Sequence, residues 1–277
     1  MTIYLLVMLL LRSQPATAVP AEDSLRVPAD TANTAAGPGE LRVIPNVSFG
    51  AGEYLKFNIN YGVITAGEAV LKISDTTWRQ RPCLKVEFTL RSKPFFDIFY
   101  RVDDHYLTYI DSAGIFPWRF EQHVREGSFS RDFTAEFDQV AHTATTSEGS
   151  RPIPPYVNDI MSAFYYARTI DYAAMAEGQR IHLQNFFKDS TYGLDVKYRG
   201  RQTVEVDAGN FRCHVVEPIV KAGGLFKSDG KIFVWMTDDR LKMPVRVNTK
   251  IPIGSVDAEL IEYRGLRSRC EATVPKE

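Results

Sequence analysis

Apolar and polar residues alternate one for one in three separated segments, and this period confines the chain to half-buried strands. Leu55, Phe57, Ile59 and Tyr61 fall on one side of an extended backbone while Lys56, Asn58 and Asn60 fall on the other, because successive side chains of a strand point to opposite faces. The pattern returns at Leu84, Val86, Phe88 and Leu90 against Lys85, Glu87, Thr89 and Arg91, and again at Leu194, Val196 and Tyr198 against Asp195, Lys197 and Arg199. One face meets core and the other meets water, as in an antiparallel sheet. Further strands are expected at 69–73, 101–110, 119–125, 129–137, 180–187, 203–206, 211–218, 231–237, 245–249 and 255–263, with turn sequences such as Asp111-Ser112-Ala113-Gly114 and Asp207-Ala208-Gly209-Asn210 between them.

One helix interrupts the series. After Pro154-Pro155, the residues Val157, Ile160, Met161, Phe164, Tyr165 and Ile170 recur at helical spacing, with Asn158 and Asp159 as capping residues and Gly178 closing the segment. The expected fold is mainly β: a curved antiparallel sheet or incomplete barrel with one principal α-helix packed across it. Open half-barrel, closed barrel and two packed sheets all share this pattern.

The first residues carry a compartment signal. Ile3 to Leu11 is continuously apolar and is followed by Ser13-Gln14-Pro15 and the small triplet Ala16-Thr17-Ala18, the layout of a cleaved secretory signal although no Lys or Arg precedes the apolar run. The run is too short to span a bilayer, which needs about 20 apolar residues. Residues 19–48 are rich in Ala, Pro, Asp, Thr and Gly without apolar periodicity, as in a disordered linker. The expected organisation is a signal peptide at 1–18, a linker at 19–48, a single β-rich domain at 49–268 and a tail at 269–277.

Thirty-three basic and thirty-four acidic residues leave a formal charge of -1, so no global field draws in nucleic acid. Cys83, Cys213 and Cys270 are odd in number and widely separated, which permits at most one internal disulfide and does not match structural zinc spacing.

The chain resembles the bacterial envelope family known as domain of unknown function 3108, from about Gly52 to Gly265. The resemblance rests on Asn158-Asp159-Ile160-Met161-Ser162-Ala163-Phe164-Tyr165-Tyr166-Ala167-Arg168, on Asp207-Ala208-Gly209-Asn210-Phe211-Arg212-Cys213, and on Val234-Trp235-Met236-Thr237-Asp238-Asp239 leading to Met243-Pro244-Val245. It implies an exported, mainly β protein of Gram-negative bacteria and brings no activity with it. A curved sheet crossed by a helix is also similar to periplasmic lipoprotein carriers, as an analogy of fold alone.

Polar candidates are sparse. Asp103 and His105 share a strand face but lack a third ligand, while Asp104 points the other way. Asp238-Asp239-Arg240 reads as a turn between strands, and His123, His142, His182 and His214 stand singly. No catalytic residue, metal site or cofactor is expected. The aromatic run Pro94-Phe95-Phe96-Asp97-Ile98-Phe99-Tyr100 holds more apolar surface than one face of an edge strand can bury, Phe226 tips the loop Ala222–Lys227, and Trp235 can line a cavity. Phe95, Phe96, Phe99, Tyr100, Phe226 and Trp235 are therefore the candidate ligand-binding residues.

The expected function is that of an exported protein, periplasmic or outer-membrane-associated, holding an apolar or lipid-like ligand in a groove of the sheet. The alternatives are an outer-membrane-associated structural or assembly partner of another envelope protein, or an envelope hydrolase. Nucleic acid is not an expected partner, and no transmembrane helix is expected in the mature chain.

Overall fold

The alternating segments form the strands expected of them in a computed structural model that describes residues 41–220, 232–250 and 254–275. A first up-and-down run consists of β1 (Tyr54–Tyr61), β2 (Ile64–Trp78), β3 (Arg81–Ser92), β4 (Asp103–Asp111), β5 (Pro117–Glu126), β6 (Phe129–Asp138), β7 (Thr143–Thr146) and β8 (Gly149–Pro152). A second consists of β9 (Arg180–Phe187), β10 (Ser190–Val206), β11 (Gly209–Val220), β12 (Ile232–Thr237), β13 (Pro244–Lys250) and β14 (Ser255–Arg264), and a short β15 (Thr273–Val274) pairs with β11.

All belong to one antiparallel sheet in the order β8-β7-β6-β5-β4-β3-β2-β1-β14-β13-β12-β11-β10-β9. The chain thus starts in the middle of the sheet, walks to one edge, crosses to the other edge and returns. Its two runs meet where β1 pairs with β14, from Tyr54 opposite Arg264 to Tyr61 opposite Val256. This is the expected mainly β, antiparallel class, as a single sheet that does not close.

The sheet nevertheless curls. Phe137 on β6 meets Phe186 on β9 edge to face at 5.6 Å, Phe133 lies 6.3 Å from Phe187, and the Thr146 hydroxyl donates to Asp189 at 2.6 Å. Register shifts at Lys56/Phe57, Ile59/Asn60, Tyr109/Ile110, Tyr198/Arg201 and Trp235/Met236 supply the bending, since an extra residue in one strand kinks it and increases its twist. Gly200, at φ +89°, occupies the β10 irregularity in a conformation that side chains resist. The crossover partly covers the β9 edge: Asn158 N–H donates to Gln184 O at 2.9 Å, and Phe186 N–H donates to Asn158 O at 2.7 Å.

The two helices described are α1 (Pro94–Tyr100) and α2 (Ile160–Ala167). In α2, Asp159 is the N-cap; its carboxylate accepts from the N–H groups of Met161 and Ser162 at 2.7 and 2.9 Å, and Ser162 Oγ accepts from Asp159 N–H at 2.9 Å. This capping box satisfies donors that the first helical turn leaves open. The helix is shorter than the apolar pattern from Val157 to Ile170, because the backbone of Asn158 is committed to β9. The Thr108 hydroxyl also donates to Asp159, at 2.6 Å, tying α2 to β4. Asp159→Ala is expected to cost about 2 kcal/mol in denaturant unfolding; a change under a few tenths would show that the cap is dispensable.

Pro94–Tyr100, read from sequence as an overloaded edge strand, is a helix instead. Pro94 opens it, and a proline at the first helical position sacrifices no hydrogen bond. Opposite Asp103, Arg91 ends the β3–β4 ladder, leaving Lys93 to Arg101 outside the sheet.

Within the segment expected to be a linker, Arg42 donates to the carbonyls of Gly114 and Ile115, and Ser48 is buried with its hydroxyl donating to Arg168 O. Within the expected tail, Cys270 and Ala272 are buried. The expected signal peptide lies outside the described residues, as does the Phe226 loop tip. Among the described residues no helix is long and apolar enough to cross a membrane.

Candidate functional site

A cavity of about 280 Å³ lies between α2 and the concave face of the sheet. From α2 it is lined by Ile160, Met161, Ala163, Phe164 and Ala167. The first run adds Phe57, Ile59, Ala69, Leu71, Phe88 and Tyr106, and the second adds Tyr192, Leu194, Val196, Val216, Val234 and Met236 among others. Among the described residues, apart from the tyrosines, the only polar side chains in its wall are Asn185 and Thr249. With its nitrogen turned toward the crossover, the Asn185 amide donates to the carbonyls of Asp159 and Asn158.

The space has a cause in the sequence. Ala69, Ala163, Ala167, Gly193 and Ala258 all line it, so small residues face one another where a packed core would interdigitate large and small ones. A lining of this kind favours apolar groups over water.

Behind Tyr106, outside the cavity wall, the interior turns polar. The Tyr106 hydroxyl accepts from Gln122 Nε2 at 3.2 Å, and Asp104 and Glu126 are buried nearby on β4 and β5. Burial pushes the Asp104 carboxyl up to about 6, against the opposing pull of the Arg125 N–H, which donates to it at 2.9 Å. Burial, followed by the charge on Asp104, pushes Glu126 up to about 8. The pair holds a proton that isolated carboxyls would have lost.

The aromatic residues expected to bind ligand are placed elsewhere. Phe95 and Phe99 stand exposed on α1 with ring centroids 6.1 Å apart, while Phe96 and Tyr100 are partly buried against the core. Tyr100 packs on the β5–β6 turn, where a Cβ on Gly127 would come within 2.7 Å of its ring. Trp235 lies between Val234 and Met236, which line the cavity, and alternation turns it to the other face. There its Nε1 donates to Gln202 at 2.8 Å and the Arg246 guanidinium lies 5.6 Å from its ring. None of these five lines the cavity.

Asp103, His105, Asp238 and Asp239 have structural partners. Asp103 pairs with Arg91 at 3.0 Å and Arg101 at 3.4 Å, whereas His105 pairs with Glu87 at 3.1 Å. Asp238 pairs with His214 at 2.8 Å and Arg201 at 2.9 Å. Burial lowers the His214 pKa, and the Asp238 charge opposes that fall. Asp239 organises the β12–β13 connection, accepting from Thr237 Oγ1 at 2.7 Å and Leu241 N–H at 3.0 Å, and it reaches Glu271 N–H at 2.9 Å. Burial pushes the Cys83 and Cys270 thiols up to about 11 and the Cys213 thiol up to about 12. Among the described residues, no group of three or more His, Cys, Asp or Glu is placed to hold a metal.

The profile of the family described as protein of unknown function DUF3108 matches residues 56–261, from β1 to β14. The chain belongs to this family. A search of curated proteins returns no match to this DUF3108 chain. Among solved structures it is similar to the beta-barrel-like protein of domain of unknown function DUF1849 from Brucella abortus, at 10% identity and a TM-score of 0.52, covering 81% of this chain and 99% of the other. A protein with YmcC-like fold from Bacteroides fragilis matches at 14% identity and a TM-score of 0.31, covering 81% and 100%. The hypothetical protein CT021 from Chlamydia trachomatis matches at 10% and 0.35, covering 82% and 93%. The Brucella likeness places the DUF3108 sheet in a beta-barrel-like fold.

The cavity-lining residues of this DUF3108 chain are visible in the sequence as core positions. Their second role follows from the alanines and glycine set among them, which a periodicity count passes over.

Proposed function

We propose that this is an exported cell-envelope protein, periplasmic or outer-membrane-associated, that holds an apolar or lipid-like ligand between α2 and the concave face of the sheet. The lining of the cavity carries the reading: a space walled by both runs of the sheet and by the helix, with almost no polar side chain among the described residues that lacks a structural task. Its volume of about 280 Å³ lies near the lower end of small-molecule sites, which run to about 300–1,000 Å³. It suits one acyl chain or a compact apolar group better than a whole two-chain lipid. Export is supported by the apolar run and small-residue triplet at the amino terminus.

Native mass spectrometry on protein prepared without detergent, followed by lipid extraction, tests the reading. A stoichiometric apolar adduct is expected; a clean apo mass would overturn it. Ala163→Phe drives a ring from α2 into the space and is expected to reduce adduct occupancy at least about tenfold, while overpacking costs no more than about 1–3 kcal/mol. An adduct retained at full occupancy in this variant would place the ligand elsewhere.

A further inference from the structure

The rim where β1 ends and β2 begins also carries α1 and the β5–β6 and β7–β8 turns, because antiparallel pairing brings these strand ends together. Of the eight large apolar side chains that stand exposed among the described residues, five lie on this rim: Val63 (102%), Ile64 (51%), Phe95 (69%), Ile98 (79%) and Phe99 (76%). The two groups are neighbours, since Lys93, at the start of α1, donates its N–H to Ala66 O at 2.9 Å. No residue of α1 is buried, so the helix projects as a wedge and forms no groove. Scattered exposed apolar residues need no explanation, but a contiguous group does.

We infer that this apolar rim docks on the surface of a zwitterionic phospholipid bilayer, with Phe95, Ile98 and Phe99 inserted to the level of the acyl chains. Two observations favour a bilayer over a protein. A convex wedge of Phe and Ile suits a fluid phase that reshapes around it, as interfacial helices do, whereas a protein partner would need a matching concavity.

The charged collar around the wedge is also balanced. Arg91, Lys93 and Arg101 are offset by Glu68, Asp97 and Asp103, with Arg91–Asp103 at 3.0 Å, Arg101–Asp103 at 3.4 Å and Lys93–Glu68 at 3.9 Å. Such a collar complements headgroups that themselves carry both signs. Binding is therefore expected to follow buried apolar area and to resist salt, since a screened attraction is not its source. This surface is separate from the cavity, so docking and ligand binding stand or fall independently.

Flotation of the protein with phosphatidylcholine vesicles, at 0.1 M and 0.5 M salt, tests the docking. The protein is expected to float at both salt concentrations, and the double variant Ile98→Asp/Phe99→Asp to lose about tenfold or more in partition per side chain replaced. Both side chains are exposed, so the variant's circular dichroism and thermal midpoint should match the parent. Ala163→Phe, which fills the cavity, should float normally. Failure to float with neutral vesicles, flotation only with anionic vesicles at low salt, or undiminished flotation of the double variant would each overturn the inference. Self-association of the parent that the variant abolishes, without flotation, would overturn it in favour of a protein interface.

Discussion

Arg168→Met is expected to remove about 3–5 kcal/mol of folding stability, because it strands a buried carboxylate. Arg168 and Glu53 are both essentially inaccessible to water, and the guanidinium grips the carboxylate in a fork, Nη1 to Oε1 at 2.6 Å and Nη2 to Oε2 at 2.8 Å. The same side chain donates to Leu241 O and Ser48 O and lies 5.1 Å from the Phe49 ring and 5.2 Å from that of Tyr165. One cation thereby joins the end of α2, the segment leading into β1 and the β12–β13 connection. Removing it leaves Glu53 with a charge the interior does not solvate and frees two carbonyls at once. The double variant Glu53→Gln/Arg168→Met should recover much of the loss, since a neutral amide is far cheaper to bury than an unpaired charge. Denaturant unfolding reads both. A loss below about 1 kcal/mol for the single variant, or no recovery in the double, would mean that the clamp adds little beyond its packing.

The same anchor explains how the cavity keeps its shape. Helix α2 is held at its start by the Asp159 box and Thr108 on β4, and at its end by Arg168. A helix fixed at both ends can bridge small residues without collapsing into the space they leave. The energetic cost of the void is thus met by polar contacts at its margins, outside the apolar wall.

Much of this was legible in the sequence where periodicity was strong. The segments around Phe57, Val86 and Val196 alternate cleanly and lie in β1, β3 and β10. Strands β7 and β8 have no such signal: Thr143–Thr146 contains a single buried residue, and Gly149–Pro152 contains none. They are held by backbone pairing, β7 to β6 and β8 to β7, rather than by an apolar face. The aromatic run at Phe95 misleads because Phe, Tyr and Ile favour strands. Pro94 and the end of the β3–β4 ladder decide for a helix, and only the second of these requires tertiary structure. The site is harder to read than the fold, because a cavity depends on what neighbouring side chains fail to fill. Residues of β2, α2 and β14 must be brought together before the alignment of Ala69, Ala163 and Ala258 means anything.

Stability is expected to fall as pH rises from about 4 to about 8, by an amount on the order of several kcal/mol, because Asp104 and Glu126 are buried in their protonated forms. The sign follows from proton binding. In the unfolded chain both carboxyls lose their protons near pH 4, whereas in the folded protein burial holds Asp104 up to about 6 and Glu126 up to about 8. Between those limits the folded state binds more protons than the unfolded state, so raising the pH favours unfolding. The slope approaches about 1.4 kcal/mol per pH unit for each extra proton held. Most paired carboxylates act in the opposite sense, and Asp132 on the exposed face, with its pKa lowered by hydrogen bonds from Arg125 and His123, is one of them. Glu126→Gln keeps a donor facing Asp104 but cannot ionise, and it removes the negative charge that each carboxylate imposes on the other. Its stability profile should therefore be flatter than the parent's, most clearly above pH 6. Thermal unfolding at pH 5, 7 and 9 distinguishes the outcomes: a parent as stable at pH 9 as at pH 5 would show that the pair is ionised and solvated. A parent that weakens while the variant does not would assign the loss to the proton that Asp104 and Glu126 hold.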